Sequence, residues 1–409
     1  MKSLDFDVIV IGAGAAGCIA AITAAERGRN VAVIEKNGKV GKKIRITGKG
    51  RCNVTNNCDL DEFMKNIPVN SRFLFSSYSA FDSTDVMNFF ERAGVPLKTE
   101  RGNRVFPVSD NANDIAAALE KMMKKKGVKF IKERVVSLII KDGVCSGVKT
   151  ENSEYSSENV LVATGGASYP LTGSTGDGFI FAKNAGHLVT DIVPSLVPLE
   201  IEEKFCNDLS GLNLKNVSLS LYDGNKKIFS ELGEMSFTYF GVTGPLVLTA
   251  SSRIRKMEKD RFRLVLDLKP GLDEKKLDAR LLRDYEEFSK LTFSETLRKL
   301  LPAALVPVVV KLSGISGDLK AGSISKKQRQ DLIGVLKGMK MNITGFRPVE
   351  EAIVTSGGVS VREIDPKTMK SKKCEGLYFA GEVIDVDGYT GGFNLQIAFS
   401  TGHAAGENI

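Results

Sequence analysis

The chain has 409 residues, more than a single hydrophobic core usually organises, and its 42% hydrophobic and 26% charged content excludes a disordered or fibrous protein. A net charge of +8 comes from 57 basic residues spread among 49 acidic ones. With no Trp and no basic stripe interleaved with aromatics, that surplus reads as solvated surface, with no nucleic acid as partner. Six cysteines scattered without CxxC or zinc-type spacing predict no metal site and fit a reducing, cytoplasmic setting, and no stretch has membrane-spanning character.

In chain order, DVIVI (7–11) reads as a strand, GAGAAG (12–17) as a turn, CIAAITAAERG (18–28) as a helix stopped by Gly28, and NVAVIEK (30–36) as a second strand. This is a βαβ unit. The apolar run from Val8 to Ala25 is preceded by Asp5 and Asp7 and broken by glycines, unlike a signal peptide. A polar loop from Asn37 to about Asp61 follows, then helical spacing around 82–93 and 113–126. KFIKERVVSLIIKDGVCSGVKT (129–150) predicts a hairpin turning at Asp142-Gly143, and ENVLVATGG (158–166) a strand running into glycines. From about Val193 to Leu268 short β-rich pieces predict a small sheet or barrel. The segment from Asp273 to Gly338 is Leu- and Lys-rich with helical spacing, and its charged faces read as solvated. After Thr344 β-texture returns, and GLYFAGE and GGFNLQIAFSTGHAAG restore strand, glycine turn and helix. The expected fold is α/β, with residues 1–192 as the first part of a nucleotide-binding domain, 193–270 an inserted β-rich domain and 271–340 a helical insert. Residues 341–409 then return along the β-domain edge and complete the first domain.

In GAGAAG, Gly12 permits a tight turn, Gly14 lets a pyrophosphate approach the backbone and Gly17 allows close helix-to-strand packing, while the helix N-terminus faces phosphate charge. Glu35 closes the next strand, where a carboxylate accepts from ribose hydroxyls. The context of strand before, helix after and acid at the right distance turns a weak motif into a dinucleotide site. A simple NAD domain is completed by consecutive βαβ units, whereas a longer flavin dinucleotide has its ring held by elements returning from elsewhere. GLYFAGEVIDVDGYTGGFNLQIAFSTG (376–402) supplies such elements: a buried strand at 377–380, Gly381 for close approach, and Gly391-Gly392 opening a helix at Phe393. A helix N-terminus aimed at the flavin pyrimidine edge stabilises the charge of reduced flavin. The competing reading is a purely structural strand, loop and helix.

The motifs together carry a resemblance: IGAGAAG, TGKGRCNVTN (47–56), RVFPVSD (104–110), LVATGGASYPLTGSTGDG (161–178), FGVTGP (240–245), TSGGVSVREIDPKTMKSK (355–372) and GLYFAGEVIDVDGYTGGFNLQ. The sequence resembles, over nearly its whole length, the FAD-binding flavoproteins grouped with aminoacetone oxidase and a bile-acid-reducing flavoenzyme. The resemblance implies a glutathione-reductase-like FAD-binding Rossmann domain with an inserted β-rich domain and a small helical domain. It places Ala15 and Ala16 at the pyrophosphate, Glu35 at the adenosine ribose, and Lys36, Thr47, Gly48, Arg51 and Asn53 alongside the cofactor. Val135, or Val136 if the register slips by one, meets the adenine, and Ala163, Thr164 and Gly165 pass the adenosine side. Gly381, Glu382 and Asp387, with Gly392, Phe393 and Asn394, line the ribityl chain and flavin ring. One departure is Tyr239, where relatives carry His; a phenol of ordinary pKa is a poor base at neutral pH.

The reading is an FAD-dependent oxidoreductase passing a hydride between a small organic substrate and flavin N5. It either oxidises an amine with oxygen or reduces an unsaturated carbonyl at the expense of NAD(P)H. No second GxGxxG follows a strand, so there is no separate NAD(P)H domain. No residue stands out as catalytic; Tyr239, Arg104 and Asn394 are weak candidates, and His187 and His403 read as structural. Two rivals remain: a disulfide reductase using Cys52 and Cys58, whose spacing is one residue longer than the usual pair, and a flavin-containing RNA-associated protein.

Overall fold

The computed structural model describes residues 5–409, which divide into two compact units: the chain up to Ser195 together with Pro348–Ile409, and Leu196–Arg347.

The first unit is built on a seven-stranded sheet. Its parallel part runs, in spatial order, Lys129–Ile131, Val31–Ile34, Phe6–Ile11, Glu154–Val162 and Leu377–Phe379. The strands Val31–Ile34 and Leu377–Phe379 are buried at every residue, as the interior of a parallel sheet covered on both faces requires. The hairpin of Val135–Lys141 and Val144–Thr150 adds antiparallel strands, turning at Asp142 (φ 50°) and Gly143 (φ 78°), the two left-handed residues a two-residue hairpin turn needs. Lys129–Ile131, expected as the start of that hairpin, instead leaves it and pairs in parallel with Val31–Ile34. The first helix, Ala15–Glu26, and the last, Phe393–Asn408, are buried along most of their length and share the sheet's hydrophobic core.

The order in which strands are laid down fixes where a ligand goes. From Phe6–Ile11 the chain moves outward on one side, to Val31–Ile34 and then Lys129–Ile131, before returning to Glu154–Val162 on the other. The two flanking connections leave in opposite directions at the carboxyl ends of Phe6–Ile11 and Glu154–Val162, which opens a crevice there.

The second unit is a closed six-stranded barrel of Leu199–Ile201, Gly241–Thr243, Lys226–Thr238, Asn213–Asp223, Phe262–Asp267 and Met339–Phe346. Alternation sends Leu219, Leu221, Leu264, Leu266, Met339, Met341 and Ile343 inward. The helices Glu274–Glu287, Phe293–Leu297, Leu305–Ser313 and Lys326–Lys337 interrupt the barrel between its last two strands and share its core through Leu277, Leu281, Leu332 and Ile333.

Candidate functional site

A cavity of about 200 Å³ opens at that crevice, lined wholly by residues of the first unit. One wall is the turn from strand to first helix. Gly17 has to be glycine, because a Cβ there would lie 2.0 Å from the Gly12 carbonyl oxygen. At Gly14 a Cβ would meet no protein atom within 4 Å, so that face is left clear for a ligand to approach the backbone. Gly14 caps the first helix without any side-chain hydrogen bond, which leaves the first-turn N–H groups to a ligand in the cavity.

Glu35 stands at the end of Val31–Ile34, its Oε2 accepting from the Ala13 N–H (3.0 Å) and its Oε1 from the Asn37 N–H (2.8 Å). These bonds hold the carboxylate against the glycine turn, with lone pairs left for hydroxyl donors. Beside it Lys36 pairs with Asp177 (2.8 Å), which also meets Arg134 at 3.5 Å. Val135 is buried and lines the cavity, while Val136 is exposed. Ala15, Ala16, Thr47, Ala163, Thr164, Gly165, Gly381, Glu382 and Asn394 also line it.

Other residues assigned from sequence stand outside the lining. Arg51 reaches Glu100 (2.5 Å) and Asp110 (2.6 Å) and lies over the Phe106 ring. Gly48 (φ 57°) shapes the turn before Asn53, whose Oδ1 is buried without a hydrogen-bond partner. Asp387 is fully buried and accepts from the hydroxyls of Ser195 and Ser356, both at 2.8 Å. Phe393 packs near Phe63, and Gly392 abuts Thr55 so closely that a Cβ would lie 2.4 Å from its carbonyl carbon. Those two therefore set the start of the last helix, as does Asn394, which bonds both the N–H and the carbonyl of Gly388. That helix also begins without a side-chain cap.

The weak catalytic candidates are scattered. Arg104 is exposed and donates to the Arg101 carbonyl, and Tyr239 lies in the second unit with 68% exposure. Burial pushes the Cys52 thiol up to about 12 and the half-buried Cys58 thiol up to about 11, and all six cysteines are free. Neither thiol has the lowered pKa of a redox cysteine. His187 is buried with Nε2 2.7 Å from the Ser371 hydroxyl, and His403 stacks on Phe81. Among the described residues no group of His, Cys, Asp and Glu could hold a metal ion, and no helix is long and apolar enough to cross a membrane.

Sequence reasoning missed Lys43, which lines the cavity in an ion pair with Glu382. Its only signal was a lysine four residues ahead of TGKGRCNVTN, which in a polar loop reads as solvated.

A parallel sheet with a glycine turn, an uncapped helix over a crevice and a carboxylate at the end of the next strand defines a dinucleotide-binding domain. The second wall, supplied by the chain's final segment, extends the cavity beyond what one βαβ unit makes. The chain belongs to the family described as HI0933-like protein Rossmann domain, which matches residues 6–408. It is 29% identical over 405 residues to a 3-dehydro-bile acid delta(4,6)-reductase of Clostridium scindens, covering 97% of each chain. It is 30% identical over 408 residues to a ribosomal RNA dihydrouridine synthase of Haemophilus influenzae, covering 98% of each. Among solved structures, a 3-ketosteroid delta1-dehydrogenase from Sterolibacterium denitrificans shares the fold, with TM-score 0.50, 14% identity and 98% of each chain covered. The protein is an FAD-dependent oxidoreductase.

The residues present suit FAD. The open face at Gly14 and the free first-turn N–H groups suit a diphosphate, Glu35 a ribose, and the wall from Gly381 to Ala398 a flavin beyond them.

Proposed function

We propose that this oxidoreductase saturates a carbon–carbon double bond conjugated to a carbonyl, using NAD(P)H as the source of reducing equivalents. The observation that carries the reading is full-length similarity to two named reductive chemistries. A 3-dehydro steroid with delta(4,6) unsaturation and a uracil ring share one reactive unit, a C=C bond in conjugation with C=O. FAD held by the glycine turn, Glu35 and the wall from Gly381 to Ala398 would supply hydride-transfer chemistry toward such a bond, with NAD(P)H as the reductant and a solvent proton completing the product. The chain's own part is to bind and orient. The uncapped start of Phe393–Asn408 stabilises negative charge nearby, and the wall made by Ile44, Ile353, Val354, Leu395 and Ile397 excludes water. Six free thiols are compatible with work in the cytoplasm.

The test is incubation with NADH or NADPH and a 3-oxo-4,6-diene steroid, with mass spectrometry of the product. Gain of two hydrogens per reduced bond supports the reading. Turnover of aminoacetone with oxygen, and of no unsaturated carbonyl, overturns it in favour of the amine-oxidising direction.

A second reading, uracil within RNA as the substrate, is favoured by where the charge lies. Leu196–Arg347 carries 26 Lys and Arg against 19 Asp and Glu, a surplus of 7 out of the whole chain's 8. Concentrated on one unit, that charge suits a polyanion better than the same surplus spread evenly. Retention of a ribosomal RNA fragment that weakens steeply with salt, together with dihydrouracil in its digest, selects this substrate; neither would occur with a small-molecule enzyme.

A further inference from the structure

The Lys43 ammonium lies 2.7 Å from Glu382 Oε2 and 2.7 Å from the Ser168 hydroxyl oxygen. Glu382 is itself fixed: its Oε1 accepts from the Thr355 N–H (2.9 Å) and from the Ser168 hydroxyl (3.1 Å). The pair is mostly shielded, with side-chain exposures of 22% and 19%, and both residues line the cavity. An ordinary surface ion pair is worth little and holds nothing in place, but here a carboxylate with three donors anchors a cation at a cavity wall.

The position is informative. Gly381, immediately before Glu382, packs so close to the first helix that a Cβ on it would lie 2.9 Å from the Ala16 Cβ. The Glu382 carboxylate itself lies against Gly165 and Gly166, where an added Cβ would be 4.0 Å from Oε2 and 2.9 Å from Oε1, and the pair shares the cavity with Gly14, Ala15 and Ala16 of that helix's start. Of the other cations on the lining, Lys36 and Arg134 are committed to Asp177 at the Glu35 end, Lys42 donates to the Leu171 carbonyl, and Lys39 is exposed, whereas Lys43 is held in the wall. An ammonium has three N–H donors, of which Glu382 and Ser168 take two.

We propose that Lys43 is a phosphate-binding residue for the dinucleotide, with Glu382 and Ser168 acting as positioning residues that hold its third donor toward the diphosphate. The helix N-terminus alone offers about half a positive charge. A diphosphate carries two negative charges, and Lys43 adds one full positive charge to the helix's half, about 1.5 in all, without entering the redox step. The inference rests on FAD binding and not on which substrate is reduced, so it survives a change in the substrate reading.

The test is the FAD dissociation constant of the apoprotein, measured by flavin fluorescence for the parent and for Lys43→Met, Lys43→Arg and Glu382→Gln. Binding of FAD by the parent checks the underlying reading separately. Lys43→Met is expected to weaken FAD and ADP-ribose by tenfold or more and riboflavin by less than twofold, with Lys43→Arg close to the parent. Glu382→Gln, which leaves the charge but loosens its anchor, is expected to fall between. Equal affinity of the Lys43→Met variant and the parent for ADP-ribose, or a loss confined to riboflavin, overturns the proposal. A measurement on the unaltered protein guards against misfolding of the variants: ADP-ribose should protect Lys43 from reductive methylation at least fivefold by mass spectrometry, and unchanged labelling contradicts the assignment.

Discussion

Cys52 and Cys58 illustrate how position decides chemistry for a single side chain. With their thiols pushed up to about 12 and about 11 by burial, almost no thiolate exists at neutral pH. Cys58→Ser is therefore expected to keep NAD(P)H-dependent turnover within about twofold of the parent, since thiolate and not thiol is the reactive form. A loss of the magnitude expected for a catalytic dithiol in steady-state kinetics would reinstate the disulfide-reductase reading. Gly17 is a different kind of residue. Adding one methyl group there drives it to 2.0 Å from the Gly12 carbonyl oxygen, so Gly17→Ala is expected to lower stability by about 1–3 kcal/mol, as overpacking does, and to weaken FAD binding with it. Chemical denaturation read with and without FAD checks both effects; an unchanged midpoint would mean the turn relaxes freely.

At the scale of elements, most of the site was legible where local pattern and local partner coincide. The strand, glycine turn, helix and strand of residues 6–34 stand where DVIVI, GAGAAG and NVAVIEK put them, and the hairpin turns at Asp142-Gly143. Lys129–Ile131 was not legible as a separate parallel strand, because three residues carry no periodicity and its partner Val31–Ile34 is about a hundred residues away. Barrel closure was equally hidden: Phe262–Asp267 pairs with Met339–Phe346 across four intervening helices, a pairing no local rule encodes. Asp387 and Phe393 could be named from the resemblance, yet only coordinates separate residues that line the cavity from those that hold its walls. Lys43 was missed for a related reason, since a lysine's partner lies in Glu382, over three hundred residues on. The barrel offers its own test. Leu264 is wholly buried between Leu221 and Met341, and Leu264→Ala is expected to cost about 2–5 kcal/mol of stability by leaving a cavity. A change under about 0.5 kcal/mol, typical of a surface site, would argue against the closed barrel.

For the molecule as a whole, the two histidines set the response to mild acid. Burial lowers the pKa of both His187 and His403, outweighing the neighbouring carboxylates Glu363 and Glu407. The folded chain thus keeps both imidazoles neutral at a pH where the unfolded chain, with an ordinary pKa near 6.5, takes up protons. Stability from this source is fully present well above about pH 6.5 and is lost as pH falls through it toward the lowered folded values. The denaturation midpoint should fall between pH 7.5 and 5.5, and the decline should flatten in a His187→Gln, His403→Gln double variant; an equal slope in that variant would place the effect elsewhere. The same whole-molecule view separates the cofactor cavity, contained in one unit, from the basic surplus, carried by the other.

Anaerobic mixing of the FAD-loaded protein with NADH, NADPH or aminoacetone, followed by addition of an unsaturated carbonyl compound, addresses the proposed chemistry most directly. The expected result is bleaching of the oxidised flavin's visible absorption by a nicotinamide nucleotide, and its return when the conjugated C=C compound is added without oxygen. Bleaching by aminoacetone alone, with no return until oxygen is admitted, would contradict it.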